Sequence, residues 1–378
     1  MHKFKKILIP LLIVVSVLLF MYLILNPSKT PPSKKANIVP TSKSDFCLGT
    51  VVDIKVYDEA SEDIFTDVFN ILHNIENKMS INLDNSEVSN INKNAGKEEV
   101  KVSPETFYVI NRGKYYSSLS NGHFDISIGP LVKLWGIGSD NARLPEPAEI
   151  KTAIEKIGYK DILLNESNSS VKLNRKDMML DLGAIAKGYA ADEVAKYLKS
   201  KNINNAIINL GGNVYAIGAN PETDIWNIGI QNPFDLRGEH LGILHIKNKS
   251  IVTSGIYERY FEKDGKKYHH ILNPFTGYPV ENSLASVTIV SDKSIDGDGL
   301  STTIFSLGIK DGSKLIESLG GVDAIFVTKD KKVYMTSGVK KYFEITNKDF
   351  SLITTLDWWG KINEKEIFMF YIAIYIKH

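Results

Sequence analysis

Apolar positions recur along this chain with two periods, and the switches between them set out the order of its elements. Val52, Ile54 and Val56 alternate as a strand. Ile64, Val68, Ile71, Leu72 and Ile75 then recur at helical spacing and predict an amphipathic helix over 63–79. A second helix is predicted over 104–120, with Ser103 as cap and Pro104 at the first helical position. A third is predicted over 181–200. Alternation then returns in NNAIINL, NVYAIGA, IWNIGIQ, LGILHIKN, SIVTSG and ASVTIVS. Helix follows over 298–307 and 312–319, and AIFVTKD with KVYMTSG reads as a closing hairpin. Hairpin-like strands standing apart from the helices predict an α+β domain rather than a doubly wound parallel sheet.

Both ends depart from this pattern. Residues 7–25 are apolar except for Ser16 and Pro10, follow Lys3, Lys5 and Lys6, and are long enough to span a bilayer. No small-x-small cleavage site follows Leu25, so 1–25 is expected to be an uncleaved anchor, with a signal peptide as the alternative. Lys29, Lys34 and Lys35 nearly balance the lysines before the run, and charge alone does not orient it. Residues 26–45 read as a polar linker and 46–345 as the globular domain, leaving 346–378 as an extension. The apolar run 367–376 in that extension is too short to cross a membrane.

Charge and cysteine content narrow the chemistry. Lys and Arg number 45 against 44 Asp and Glu, a net charge of +1, which removes the basic field that nucleic-acid binding draws on. The one cysteine, Cys47, excludes an internal disulfide, a Cys-rich zinc site and a CxxC pair. It stands too far past the apolar run to be a lipid attachment site. Any metal must be held mainly by oxygen.

Several segments place polar residues and glycines where a plain core has apolar ones. GHFDISIGPLVKLWGIG, at 122–138, reads alone as a kinked strand pair. MLDLGAIAKGYAAD, at 179–192, puts a helix start near Gly183, where free N–H groups favour an anion and Lys187 adds charge one turn in. The paired glycines of NLGG, at 209–212, suit either close approach of a ligand or a tight turn. Residues 253–279 concentrate Ser254, Tyr257, Arg259, His269, His270, Asn273 and Thr276 around an Asp264-Gly265 turn. The adjacent histidines of a strand point to opposite faces. In SIDGDGLSTTIFSL, at 294–307, Asp298 and Thr302 stand four apart on one helix face, a carboxylate and a hydroxyl suited to Mg²⁺ or Ca²⁺. An Asp cap with a back-bonded threonine is the plain alternative.

Taken in order, MSINLDNSEVSNIN, GHFDISIGPLVKLWGIG, LDLGAIAKGYAAD, NLGGN, TSGIYERYF, YHHILNPFTGYP and DGDGLSTTIFSLG resemble the bacterial FAD:protein FMN transferases, the ApbE family. The resemblance covers about residues 46–345. It implies a two-lobed α+β domain behind an N-terminal membrane segment, with FAD between the lobes and Mg²⁺ at its pyrophosphate. It implies Asp298 and Thr302 as metal ligands, completed by the carbonyl of Ala184 and by Ser301. Lys187 is implied at the flavin nucleotide, Asp181 at its adenine or ribose end, Phe124 and Asp125 along the cleft, and His270 as catalytic base and cofactor neighbour. Where the family commonly carries Tyr in a Met-Ser-x-Tyr segment, this chain has Asn82, and Leu48 stands where many members have Met.

The function so implied is Mg²⁺-dependent transfer of FMN from FAD to a threonine of an acceptor redox protein, with release of AMP. Implied acceptors carry an Asp-Gly-x-Thr type motif, as in Rnf-type or sodium-pumping NADH:quinone oxidoreductase subunits or secreted FMN-binding proteins. The catalytic domain is then expected outside the cytoplasmic membrane on a single-pass anchor. A pyrophosphatase hydrolysing FAD to FMN and AMP, and a non-catalytic flavin-binding protein, are the alternatives, because water can replace threonine at one and the same metal site.

Overall fold

The computed structural model describes residues 39–353. Its centre is a nine-stranded sheet in the order β1 (Thr41–Cys47), β2 (Thr50–Val56), β6 (Ala206–Leu210), β7 (Asn213–Ile217), β10 (Lys249–Gly255), β13 (Leu284–Ser291), β14 (Asp323–Thr328), β15 (Lys332–Met335) and β17 (Ser351–Leu352). Neighbours are antiparallel except β15 and β17. All eight residues of β13 are buried, so the sheet is covered on both faces. On one face, Val287 and Ile289 join the core formed with the helices; on the other, Val290 meets Trp226, Leu241 and Leu244. The latter belong to a three-stranded sheet of β16 (Phe343–Ile345), β9 (His240–Ile246) and β8 (Trp226–Gln231). Alternation in β13 thus seals two cores at once, the α+β arrangement expected.

The helical layer is built on α1 (Glu62–Met79), α6 (Ala186–Ser200) and α7 (Ser294–Leu319). α1 buries Phe65, Val68, Leu72, Ile75 and Met79, one face of its 3.6-residue repeat. α7 contains both expected helical pieces, divided where Gly308 takes φ 77°. α3 (Pro104–Leu119) starts as its sequence predicts, with Ser103 Oγ accepting from the Thr106 N–H. Two short helices, α2 (Glu87–Lys93) and α5 (Pro147–Ile154), and a small sheet of β3 (Val100–Lys101), β5 (Ser170–Leu173) and β4 (Ile162–Asn165) complete this side.

Three expectations are corrected. Residues 122–138 are not a strand pair: they hold α4 (Gly129–Trp135), and only Ile128 bridges, to Met179. Pro130 opens this helix, and Gly136, at φ 59°, closes it, so residues read as strand breakers are helix punctuation. The third helix begins at Ala186 rather than 181, because residues 183–185 form a turn. Residues 41–45, read as linker, belong to edge strand β1, whose outward polar side chains carry no apolar alternation. The apolar run 7–25 and the extension beyond 353 lie outside the described residues. Among the described residues no helix is long and apolar enough to cross a membrane.

Candidate active site

The site is organised where the starts of α6 and α7 meet. The Asp298 carboxylate, buried in the second turn of α7, accepts the backbone N–H of Gly188 through Oδ2 at 2.9 Å. Gly188 is the third residue of α6, so its N–H is one of the first-turn donors that have no partner within the helix, and Asp298 caps it from outside. The Ala184 carbonyl, one residue before the Ile185 N-cap, accepts no hydrogen bond among the described residues. Gly188 allows this approach: a Cβ there would stand 2.3 Å from the Ser294 carbonyl oxygen and 2.7 Å from Ile295 Cα. The start of α7 is capped from α6, for Asp192 accepts the N–H groups of Ser294 at 2.7 Å and Ile295 at 3.0 Å. Asp298 is therefore not the cap of its helix.

The hydroxyls after Asp298 divide by role. Ser301 Oγ donates to the Asp298 carbonyl at 3.0 Å, and Thr303 Oγ1 to the Gly299 carbonyl at 2.8 Å. Thr302 makes no back-bond; its Oγ1 stands 3.2 Å from Ser254 Oγ, which is also 2.8 Å from Ser301 Oγ. Ser254, at the end of β10, thus orients both hydroxyls. Sequence reading noticed this serine but assigned it no role, since the pairing of β10 against α7 is a tertiary fact.

Lys187 enters from the first turn of α6 and Asp181 from just before the 183–185 turn. Lys187 Nζ lies 3.8 Å from Asp298 Oδ1 and donates to the Gly183 carbonyl at 3.0 Å. Asp181 Oδ1 accepts the Gly183 N–H at 2.7 Å. Loss of solvent holds its carboxyl above the usual range, against that bond and the charges of Lys187 and Arg259.

His270 follows β12 (Lys266–His269), the partner of β11 (Tyr260–Lys263) in a hairpin turned at Asp264-Gly265. The Arg259 carbonyl accepts both the His270 backbone N–H, at 3.1 Å, and its Nδ1, at 3.2 Å. A carbonyl only accepts, so Nδ1 carries the proton and Nε2 presents its lone pair. Burial, with Arg259, His269 and Lys187 nearby, pushes the imidazole down to about 4 and keeps it neutral near pH 7. Glu258 and Arg237 share this neighbourhood with Lys187 and Arg259. Arg237 lies in the β8–β9 loop, far in sequence, and nothing in its local pattern marks it.

Phe124 and Asp125 are engaged within the chain. Phe124 is buried edge-on to Tyr116, and Asp125 accepts from Ser127 N–H, Ser127 Oγ and Tyr159 N–H at 2.8, 2.6 and 2.9 Å. Together they fix the loop before α4. The NLGG glycines make the two-residue β6–β7 turn, with φ 61° at Gly211 and 104° at Gly212. Among the described residues no three His, Cys, Asp or Glu side chains gather to hold a metal. The oxygens available at these two helix starts are the Asp298 carboxylate, the Thr302 hydroxyl one turn on and the Ala184 carbonyl. Such a set suits Mg²⁺, which takes one or two carboxylates and completes its shell with substrate phosphate and water. Two cavities, of about 750 and 420 Å³, lie beside α4 and α5 and beside β12; neither is lined by Asp298 or Thr302.

Residues 48–326 match the model of the ApbE family. The chain belongs to the ApbE family. A relative from Klebsiella pneumoniae named FAD:protein FMN transferase is 39% identical over 312 residues, covering 82% of this chain and 96% of its own length. Another of that name, from Treponema pallidum, is 33% identical over 335 residues, covering 84% and 92%. The crystal structure of the ApbE protein from Thermotoga maritima superposes with a TM-score of 0.74 at 32% identity, over 80% of this chain and 99% of that one. The flavin transferase ApbE from Vibrio cholerae does so with a TM-score of 0.73 at 28% identity, again over 80% and 99%. The ApbE fold is thus the mixed α/β fold described above.

Proposed function

We propose that this chain transfers FMN from FAD to a threonine of an acceptor protein, releasing AMP, with Mg²⁺ at the FAD pyrophosphate. The observation that supports the reading is the buried Asp298 carboxylate, held against the start of α6 by the Gly188 N–H and one helical turn from the Thr302 hydroxyl. Asp298, Thr302 and the Ala184 carbonyl hold the ion; Ser301 supports Thr302 through Ser254. Bound there, Mg²⁺ supplies charge neutralisation to the pyrophosphate and the departing AMP.

The chain's own residues supply the remainder. Lys187 turns from Asp298 to a pyrophosphate oxygen, and Asp181 holds the Gly183 turn that presents it. His270 Nε2 takes the proton of the acceptor threonine. The threonine oxygen forms a bond to the FMN phosphorus, the bond from that phosphorus to the bridging oxygen breaks, and its electron pair leaves on AMP. The product is a phosphoester-linked flavin. The flavin lies in a cleft between two lobes, lined on one side by the loop that Phe124 and Asp125 fix.

We place the domain outside the cytoplasmic membrane on the 1–25 anchor, facing acceptors with an Asp-Gly-x-Thr type motif, such as Rnf-type or sodium-pumping NADH:quinone oxidoreductase subunits or secreted FMN-binding proteins. The test incubates the protein with FAD, Mg²⁺ and a domain bearing that motif. An FMN mass gain on the motif threonine with matching AMP is expected. AMP formed without any mass gain on the acceptor would make the protein a pyrophosphatase instead.

A further inference from the structure

A cavity of about 420 Å³ lies against the segment that carries His270, lined by the preceding residue, His269. The two rings leave the strand on opposite sides. Around this cavity stand Lys266, Lys267 and Lys329 against a single lining carboxylate, Glu281. The present ion pairs are loose: Lys266 Nζ is 3.9 Å from Glu281, and Lys267 Nζ is 3.8 Å from Glu262 on the adjoining strand. Both carboxylates are largely in solvent, where such pairs contribute little. The Lys329 ammonium has no hydrogen-bond or ion-pair partner among the described residues.

His269 forms part of the cavity wall. Its Nε2 donates to the Val280 carbonyl at 3.0 Å, so the proton sits there and Nδ1 is an acceptor. That Nδ1 is buried with no partner among the described residues. An unmatched buried acceptor is costly unless a donor reaches it. That nitrogen has no exposed surface, so what a ligand in the cavity meets is the charge of the lysines, and such a ligand carries negative charge.

We propose that the cavity docks an acidic segment of the acceptor protein, its carboxylates meeting Lys266, Lys267 and Lys329. The inference rests on the transferase reading above and gives it a binding surface apart from the FAD site. Segment 266–281 then serves both steps, holding the acceptor on one side and offering the His270 base on the other. Asn273, whose side chain accepts the N–H groups of Phe275 and Thr276, keeps the connecting turn in shape.

Binding of a fluorescein-labelled Asp-Gly repeat peptide to the full protein, read by anisotropy, tests this. The wild type is expected to bind it, to prefer it over the Asn-Gly repeat, and to lose affinity as salt rises. Lys266→Glu with Lys329→Glu is expected to weaken binding about tenfold or more, with FAD affinity unchanged. Lys266→Arg with Lys329→Arg keeps the charge and is expected to retain it. Equal binding by the wild type and the charge-reversed protein overturns the proposal, as does lost affinity for phosphatidylserine vesicles alone. Failure of the wild type to bind FAD or transfer FMN instead removes the transferase reading, whatever the peptide does.

Discussion

Gly188 and Asp298, 110 positions apart in sequence, are joined by a hydrogen bond of 2.9 Å that links the first turn of α6 to the second turn of α7. Its donor is one of the free N–H groups of the α6 start, and its acceptor is the carboxylate proposed above as a cation ligand. Fold and chemistry therefore meet in one bond, and substitutions at Asp298 should separate them.

Asp298→Asn retains an oxygen that accepts the Gly188 N–H but loses the charge. It is expected to melt close to wild type while losing divalent-ion binding, measured by titrating Mn²⁺ in the presence of FAD. Asp298→Ala also strands a buried N–H, at a cost of about 1–3 kcal/mol, and is expected to melt lower as well. Undiminished Mn²⁺ affinity in the Asn variant would remove Asp298 from the ligand set.

Gly188→Ala presses a methyl group onto the α7 backbone, where no side chain can swing away. A loss of about 1–3 kcal/mol or more is expected by urea denaturation, as for overpacked cores. Because the helix starts separate, ion affinity should fall with stability. A fully stable variant would mean that the two helices approach less closely than described.

His270→Ala is expected to slow single-turnover FMN transfer by about 10²–10⁴, the range for loss of a general base, with FAD affinity little changed. In the wild type the imidazole is neutral above its depressed value, so its contribution is flat near pH 7 and is lost as pH falls through about 4. A transfer rate unmoved by the substitution would take His270 out of the proton transfer.

His269 is likewise held near 4, chiefly by burial, with Lys329 adding to the effect. Its unfolded value is 6.5, so as pH falls from about 6.5 towards 4 the unfolded chain takes up a proton that the folded one refuses. Wild type should lose stability relative to His269→Gln across that window, by at most about 1.4 kcal/mol per pH unit. Denaturation of both proteins at several pH values measures the difference, and parallel curves would show the ring to be freely titratable.

What the sequence revealed followed the range of the interactions involved. The strand periods of β6 to β10 and β13, the Ser103 cap and the Asp298–Thr302 spacing are local, and each is found as expected. The pairing of α6 with α7 is not local: Asp298 reads as a helix cap until Asp192 is seen to take that place. Ser254 and Arg237 escaped assignment for the same reason. The 122–138 segment misled because Gly and Pro punctuate helices and strands alike, and only packing decided between them. Edge strand β1 escaped because residues 41–45 are all polar and show no alternation of their own, although they pair with Val52, Ile54 and Val56 of β2.

The ion site proposed at residues 184, 298 and 302 depends on the docking of α6 against α7, and the unfolded chain has nothing equivalent to offer an ion or a nucleotide. Occupancy is consequently convertible into melting temperature. A ligand present at a hundredfold its dissociation constant deepens the native well by about 2.7 kcal/mol. Differential scanning of the protein against a panel of nucleotides and divalent ions would thus rank its natural ligands without any acceptor or turnover.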